Sequence, residues 1–409
     1  MPYRRRHPEP AAQLAWPWRD QCTLTLQAGG MRFLPAIRTA MQGATQTIDI
    51  EMYLCASGAL FDEWLRVLAA RVADGVRVRM LLDDIGCREL ATEDWQRLQQ
   101  AGITVRRFNR LQWARPLAAL VRDHRKLVLV DGRRAWVGGF CVNDESDPRI
   151  FGDDAWFDAM VACRGPVVSD FAALFEQAWA LAGRGPITDA LRWRLQKYPP
   201  PRASETGRCE GWARVRAARG GRNNPVLRAF VHHILRAQRE VWLCTPYFLP
   251  PRSLYKALLL AARRGVDVRL TVPGRNTDHP VLRYAGHHLY QRLLQAGVRI
   301  EEYQPRFLHL KAARVDDWCT LGSFNYDRWN SSWNLEANVE IIDSDFCHQL
   351  HALQQSLARE SQPVAPNRWQ RRRPWQRWRE KFWYWFGTRL ILQLKTLWNT
   401  ATVRRPEKH

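Results

Sequence analysis

The segment HRKLVLVDG (residues 124–132) has the same pattern as HLKAARVDD (residues 309–317), and this repeat organises the rest of the chain. Both segments fit H-x-K-x4-D, and each chemistry-bearing position recurs at an offset of 185 residues (309 − 124, 311 − 126 and 316 − 131). Side chains alternate between faces along a strand, so the His and the Lys of each motif point the same way. Asp-Gly then favours a hairpin turn, and RRAWVGG (residues 133–139) is predicted to be the returning strand.

The repeat extends outward on both sides of these motifs. TIDIEMYLC (47–55) and VRVRMLLDD (76–84) flank one helical pattern, and EVWLCTPYF (240–248) and VDVRLTVPG (266–274) flank another. Strand–helix–strand order predicts an α/β fold: two duplicated α/β/α sandwich domains, with mixed, largely parallel sheets, packed together around one active site. The predicted boundaries are 1–200 for the first domain, 201–362 for the second and 363–409 for a tail, with a Pro-rich linker at 196–211.

The amino-acid composition indicates which kinds of molecule the protein binds and in which cellular environment it works. The formal net charge is +22, which favours an anionic partner, either a lipid surface or nucleic acid. The nine cysteines include no C-x-x-C pair, so neither a disulfide framework nor a zinc site is expected, and a reducing cytoplasm is the simplest environment. No stretch reaches the roughly 18 apolar residues that a spanning helix needs, and the basic N-terminus lacks the apolar run of a signal peptide.

Two histidines and two lysines in one pocket suit a phosphodiester. One neutral imidazole can attack phosphorus to form a phosphohistidine, while the other acts as general acid and then as general base. The lysines supply the positive charge that a metal would otherwise bring, so no metal or other cofactor is expected. The candidate catalytic residues are His124, Lys126, Asp131, His309, Lys311 and Asp316, and Asn143 and Asn325 are candidates for holding phosphoryl oxygens.

Four acidic residues accompany the two motifs. Asp158 lies 34 residues after His124 and Glu336 lies 27 after His309, so each carboxylate is predicted to fix the ring of the histidine in its own half. An ordinary surface carboxylate is the alternative for each. Asp131 and Asp316 lie at predicted turns, where capping the turn is at least as good an explanation as catalysis.

These paired motifs resemble the phospholipase D superfamily, whose signature is the HKD motif. The resemblance runs from about residue 21 to residue 361 and is strongest to bacterial cardiolipin synthases, particularly the cardiolipin synthase B type, through stretches such as IEMYL, TPYFLP and SSWNLEANVEI. It implies transfer of a phosphatidyl group from one phosphatidylglycerol to the terminal hydroxyl of another, with release of glycerol. It also implies that His124 is the nucleophile and His309 the general acid/base, although the sequence itself is symmetric.

The tail is basic and rich in Trp. Trp383, Phe386, Leu390, Leu394 and Leu397 recur at helical spacing beside many arginines, a pattern typical of an amphipathic helix that lies in a membrane surface. The alternative is a C-terminal helix packed on the protein body. We therefore predict an anionic phospholipid substrate and peripheral attachment to the cytoplasmic side of the inner membrane.

Three further functions fit parts of the sequence. A phospholipase D-type hydrolase differs from a transferase only in whether water or an alcohol reaches the phosphohistidine. A nuclease on the same fold would suit the charge, but the aromatic tail makes nucleic acid an unlikely partner. A catalytically silent basic protein is disfavoured because both His/Lys pairs are intact. The sequence leaves the oligomeric state and the preferred acceptor alcohol open.

Overall fold

The computed structural model describes residues 16–111, 119–182, 211–219 and 224–403. Most of the predicted linker at 196–211 and the basic N-terminal segment lie outside the described residues. Within the described ranges, no helix combines the length and the apolar character needed to cross a bilayer.

The first half forms a seven-stranded sheet in the order β1-β7-β6-β5-β2-β3-β4. Its strands are β1 Thr23–Ala28, β2 Thr47–Met52, β3 Arg77–Asp83, β4 Thr104–Phe108, β5 Lys126–Val130, β6 Arg134–Gly138 and β7 Ala159–Arg164. Its helices are α1 Gly30–Gln42, α2 Ala59–Ala73, α3 Thr92–Gln100, α4 Pro148–Phe151 and α5 Val167–Ala182.

The second half forms an eight-stranded sheet in the order β15-β11-β10-β9-β12-β13-β14-β8. Its strands are β8 Trp212–Ala218, β9 Glu240–Cys244, β10 Asp267–Pro273, β11 Arg299–Tyr303, β12 Ala312–Val315, β13 Trp318–Gly322, β14 Glu336–Ile342 and β15 Ser361–Pro363. Its helices are α6 Pro225–Arg236, α7 Arg252–Arg263, α8 Pro280–Gln295, α9 Asn330–Trp333, α10 Ser344–Arg359, α11 Pro366–Gln370 and α12 Pro374–Val403.

The two sheets have the same topology, strand for strand, apart from the added edge strand β15. The predicted fold class, a duplicated α/β fold with two mixed sheets, is confirmed. One detail of it is wrong: the sheets are not largely parallel. Among the described strands, only β2-β3-β4 and β9-β10-β11 are joined by parallel ladders. The H-x-K-x4-D strands β5 and β12 pair antiparallel on both sides, with β6 and β13 through hairpins and with β2 and β9 across the sheet.

A shared core joins the halves. Inward-facing residues of both sheets, including Leu129, Val137 and Leu321, belong to one buried apolar cluster. Helix α5 of the first half packs on β8 of the second, and α10 of the second packs on β1 of the first. Because this core is continuous, it fixes the motif-bearing ends of β5 and β12 relative to one another.

Candidate active site

Each motif histidine lies just before its strand, in a segment that pairs with the opposite half. The backbone N–H of His124 donates to the carbonyl of Leu335 at 2.9 Å, and the N–H of His309 donates to the carbonyl of Phe157 at 2.8 Å. Asp123 and Leu335 form an isolated parallel bridge, as do Phe157 and Leu308. The backbone of each half therefore positions the histidine of the other half.

The side-chain pairs cross the interface in the same way. Nδ1 of His124 lies 3.0 Å from Oε1 and 3.1 Å from Oε2 of Glu336, and Nδ1 of His309 lies 2.7 Å from Oδ2 of Asp158. The predicted pairing within each half is wrong, because the acids come from the segment that bridges to the partner half. An engaged Nδ1 fixes the tautomer and leaves Nε2 of each ring available for chemistry.

Burial and neighbouring cations set the protonation of the rings. Desolvation, together with the positive charge of Lys311, lowers the pKa of His309 to about 4. Desolvation and the charges of Lys126, Lys311 and His309 hold the pKa of His124 well below its usual range. Both imidazoles are therefore neutral at pH 7 when the site is empty. Because Lys126, Lys311 and His309 all lie near enough to His124 to affect its charge, the four motif side chains share one site.

The lysines are fully enclosed and held by the histidine backbone. Nζ of Lys126 donates to the carbonyl of His124 at 2.7 Å, and Nζ of Lys311 donates to the carbonyl of His309. Desolvation lowers the pKa of Lys311 to about 8 and lowers that of Lys126 as well. Because they are partly stripped of water, these ammonium groups interact more strongly with a phosphoryl oxygen than exposed ones would.

The two motif aspartates lie at the far ends of their strands. The carboxylate of Asp131 accepts backbone N–H bonds from residues 45–47 at 2.8–3.2 Å. The carboxylate of Asp316 accepts the equivalent bonds from residues 238–240 at 2.9–3.0 Å. Both residues have positive φ, 54° and 50°. Each aspartate thus ties its hairpin to the start of the neighbouring strand, β2 or β9, several residues from the histidine.

The two candidate asparagines differ in their surroundings. Nδ2 of Asn143 donates to Glu145 at 2.7 Å, and its Oδ1 accepts from the hydroxyl of Ser146 at 2.6 Å. Asn325 is buried, and within the described part of the chain its Oδ1 has no hydrogen-bond partner. Asn325 is thus the one of the two whose side-chain oxygen is left to accept a hydrogen bond, as from a hydroxyl of a ligand.

Small residues at the ends of β6 and β13 allow close contact with the neighbouring strands, which carry or directly follow the paired acids. A Cβ at Gly138 would lie 2.3 Å from the carbonyl of Ala159, and one at Gly322 would lie 2.3 Å from that of Ala337. The next position differs between the halves. A Cβ at Gly139 would lie 2.3 Å from Oδ2 of Asp158, whereas Ser323 donates its hydroxyl to Glu336.

Aromatic side chains that the motif analysis did not single out surround the histidines. The ring of Tyr53 meets His124 edge-on at a centroid distance of 4.6 Å, and the ammonium of Lys126 lies 4.9 Å from the same ring centre. Trp156 and Phe307 lie 5.2 and 5.6 Å from the ring of His309. The sequence could have indicated these residues by their position, since each lies within three residues of a strand end, a paired acid or a motif histidine.

A pocket of about 280 Å³ lies beside Trp156 and Phe307, the two rings that contact His309. Its lining consists of Trp156 and Phe307 together with the polar residues Asp154, Asn276, Thr277, Asp278 and Arg306. The hydroxyl of Tyr247 donates to Asp278 at 2.5 Å. The mixture of carboxylates, amide, hydroxyl and guanidinium suits a polyol attached to a phosphate. Among the described residues, no group of three or more His, Cys, Asp or Glu is arranged to hold a metal ion.

Comparison with known proteins places this chain in a family. The family model described as "Cardiolipin synthase, PLD-like domain" matches residues 37–179 and 230–357. The chain is 30% identical over 358 residues to the probable cardiolipin synthase YwiE of Bacillus subtilis (strain 168), covering 86% of this chain and 69% of that relative. It is 32% identical over 330 residues to cardiolipin synthase A of Pseudomonas entomophila (strain L48), covering 78% of this chain and 65% of that relative.

Solved structures resemble the chain in fold. Phosphatidylserine synthase of Haemophilus influenzae Rd KW20 matches with a TM-score of 0.67 at 15% identity, covering 86% of this chain and 90% of that one. Polyphosphate kinase of Porphyromonas gingivalis matches with a TM-score of 0.56 at 13% identity, covering 85% of this chain and 49% of that one. At these identities the likeness concerns the fold alone.

Proposed function

The chain belongs to the family of cardiolipin synthase, PLD-like domains, and from that membership we propose that it joins two phosphatidylglycerol molecules into cardiolipin and releases glycerol. It is an enzyme of the phospholipase D superfamily, a phosphatidyltransferase. The finer likeness to the cardiolipin synthase B type stays a prediction, as do the domain boundaries at 200 and 362.

One observation carries the proposal. Two histidines from opposite halves share a buried site, and each is held through Nδ1 by a carboxylate of the other half. This arrangement supports a double displacement at a single phosphorus atom, in which one ring attacks and the other transfers protons. Each role needs an accessible Nε2, which the Nδ1 contacts provide.

The first displacement forms the phosphohistidine. Nε2 of His124 attacks the phosphorus of the donor lipid, and the bond from phosphorus to the headgroup oxygen breaks. His309 gives its Nε2 proton to that oxygen, and glycerol leaves. The pKa of His309 is about 4 in the empty site, so this proton must be stabilised by the substrate. The negative charge of the bound phosphodiester offsets the two lysines that lower the pKa.

The second displacement uses the same groups in reverse. Nε2 of His309 removes the proton from the terminal hydroxyl of a second phosphatidylglycerol, whose oxygen then attacks phosphorus. The phosphorus–nitrogen bond breaks, so His124 returns to its neutral state. His309 holds the acceptor's proton while the product is bound and releases it to solvent when the site empties. The pocket lined by Trp156 and Phe307 supports this step, because it offers hydrogen-bonding groups for the acceptor's glycerol and these two rings contact the base.

Charge stabilisation falls to the two motif lysines. We assign Lys126 and Lys311 to the non-bridging oxygens of the phosphoryl group, where negative charge grows as the nucleophile arrives. Asn325 is proposed as a neighbouring hydrogen-bonding group. Asn143 already donates to Glu145, so a contact from it to phosphate would use its second amide hydrogen.

Transfer is favoured over hydrolysis by the exclusion of water. His124 and His309 are each only 7% exposed, and Trp156 and Phe307 pack beside the proposed base. Water would reach such a site at lower occupancy than an alcohol delivered by a bound lipid. We further propose that the protein is peripheral and acts on anionic phospholipid at the cytoplasmic side of the inner membrane, where its net charge of +22 is attracted to the leaflet.

The test is a lipid assay with the purified chain. Labelled phosphatidylglycerol in mixed micelles is expected to give cardiolipin with the wild type and with His348→Ala, a control in which an exposed histidine on α10 is changed. His124→Ala is expected to give none. Phosphatidic acid as the sole product would replace the proposal with a hydrolase. Absence of both products, together with cleavage of DNA, would replace it with a nuclease.

A further inference from the structure

Helix α12 turns a continuous apolar stripe toward solvent. Along this face the exposed side chains recur at intervals of three and four residues, and Trp378 is 69% exposed. The stripe, called here the aromatic stripe, consists of Trp375, Trp378, Phe382, Trp385, Phe386 and Leu390. Exposed apolar surface of this extent on a single helix indicates an interaction surface.

The aromatic stripe is not the face that the helical spacing predicted. Of the predicted residues, Phe386 and Leu390 are exposed, whereas Trp383 and Leu394 are partly buried. The side chain of Leu397 lies outside the described residues. Helical spacing predicted a different face because it assumes an apolar inward side, whereas α12 buries the carboxylate of Glu380 there.

Buried polar contacts hold the helix in this orientation. Glu380 is 4% exposed and pairs with Arg372 at 2.5 Å, and it lies 3.8 Å from Nδ1 of His287 on α8. The rings of His288 and Tyr384 are 4.7 Å apart. Rotating α12 to hide the stripe would break these pairs and leave the buried carboxylate of Glu380 without a partner. Such a change is costly, so the stripe stays exposed.

The charge pattern of the helix identifies the occupant. Five exposed basic residues lie among or beside the stripe residues, namely Arg371, Arg373, Arg377, Lys381 and Arg389. Glu380 is the sole acidic residue between positions 366 and 403, and it faces inward. A second copy of this face would bring like charges together, whereas an anionic lipid surface would neutralise them. Trp and Phe beside arginines suit the boundary between headgroups and acyl chains.

The inner side of α12 is tied to loops of the active-site region. Arg328 donates to the hydroxyl of Tyr384 at 3.0 Å and to the carbonyl of Pro250 at 3.1 Å. Pro250 lies three residues after Tyr247, which donates to Asp278 in the pocket lined by Trp156 and Phe307. Helix α12 is thus connected through Arg328 to the loop that contacts this pocket.

We propose that the aromatic stripe of α12 is the docking surface for an anionic bilayer, and that the contacts of Arg328 connect the docked helix to the loop that carries Tyr247. This inference rests on the proposed lipid substrate. It goes further by naming the face that meets the membrane and the contacts that connect α12 to the loop.

Vesicle binding and micelle activity together test the proposal. The full chain carrying Trp378→Ser, Phe382→Ser and Trp385→Ser is compared with the wild type on vesicles of phosphatidylglycerol and phosphatidylcholine. Loss of the stripe is expected to weaken vesicle binding by at least about tenfold. Activity on vesicles should fall in parallel. Activity on phosphatidylglycerol dispersed in nonionic detergent micelles should stay within about twofold of the wild type, since the catalytic groups are untouched.

A matched control changes three exposed apolar residues elsewhere, on α1, α6 and α7: Met31→Ser, Leu235→Ser and Leu260→Ser. It should bind vesicles as the wild type does. The proposal is overturned if the stripe variant binds vesicles normally. It is also overturned if the wild type is a dimer that only the stripe variant converts to a monomer, because a second copy would then occupy the face. A wild type that binds vesicles through the stripe but makes no cardiolipin in micelles would refute the proposed function and leave the docking surface standing.

Discussion

Oδ2 of Asp158 lies 2.7 Å from Nδ1 of His309, although 151 residues and the boundary between the two sheets separate them. The reciprocal contact joins Glu336 to His124. Neither half therefore supplies both members of a motif His–carboxylate pair. The duplication supplies two incomplete sites, and each is completed only when the shared core brings the halves together.

Replacing Asp158 with Asn should impair proton transfer and spare the attack by His124. Loss of the carboxylate weakens the orientation of His309 and removes stabilisation of its protonated form, so turnover should fall by about 10²-fold or more. With a phosphodiester that has a p-nitrophenolate leaving group, the first displacement needs no acid. A burst of p-nitrophenol and a trapped phosphohistidine are then expected, detectable by intact-protein mass spectrometry.

The paired control for that experiment is Glu336→Gln, which disturbs the nucleophile itself. It should give neither burst nor trapped intermediate. If the intermediate accumulates in Glu336→Gln and is absent from Asp158→Asn, then His309 is the nucleophile and the two roles must be exchanged.

Binding of a phosphate mimic should weaken at alkaline pH. The pKa of Lys311 is lowered to about 8 by desolvation, so the ammonium loses its proton as the pH rises through that value. Its attraction for an oxyanion is lost with the proton. The inhibition constant of tungstate should accordingly rise by about tenfold per pH unit above pH 8.

The measurement is competitive inhibition between pH 6 and pH 9.5, and a flat profile would contradict the assignment. Lys311→Met should lose the inhibition, whereas Lys256→Met, at an exposed position on α7, should retain it.

Folding stability should fall as the solution is acidified. The pKa of His309 is about 4 in the folded protein, whereas an unfolded histidine titrates near 6.5. Between these values the unfolded state binds the extra proton, so stability is complete above about pH 6.5 and is progressively lost toward pH 4. The loss from this single group is at most about 3 kcal/mol. Urea unfolding of the wild type and of His309→Gln at pH 7 and pH 5 measures it. Equal pH dependence in the two proteins would count against the depressed pKa.

Much of this architecture could be predicted from the sequence, because the repeat itself carries the information. The 185-residue offset between His124 and His309 predicts two equivalent strands, and these are β5 and β12, although each histidine lies just before its strand. The hairpin after Asp131 and the parallel strands before it follow from local patterns. These features depend on neighbours in the chain.

The parts that could not be predicted depend on contacts between the halves. Asp158 is closer in sequence to His124 than to His309, yet its carboxylate contacts His309. The reason is that Phe157, the residue before Asp158, forms a β-bridge with Leu308, the residue before His309. No local pattern reports such a bridge. The exposed face of α12 was misjudged for a similar reason: its orientation follows from the ion pair of Glu380 and from packing on α8, and helical spacing alone cannot distinguish an inward carboxylate from an outward one.

The motif aspartates offer a test of structure against chemistry. Asp131→Asn and Asp316→Asn keep the side-chain shape but replace a charged acceptor of backbone N–H bonds with a neutral one. The pKa of each carboxyl is held below its usual range by those N–H groups, which indicates that the charged form is favoured. Each substitution should therefore lower the free energy of unfolding by about 1–3 kcal/mol. Turnover per folded molecule should stay within about threefold of the wild type, because the turn lies a strand length from the imidazole. Thermal unfolding gives the first quantity and micelle assays on folded protein give the second. A fall in turnover of about 10²-fold or more in a variant that remains fully folded would instead make the aspartate part of the catalytic machinery.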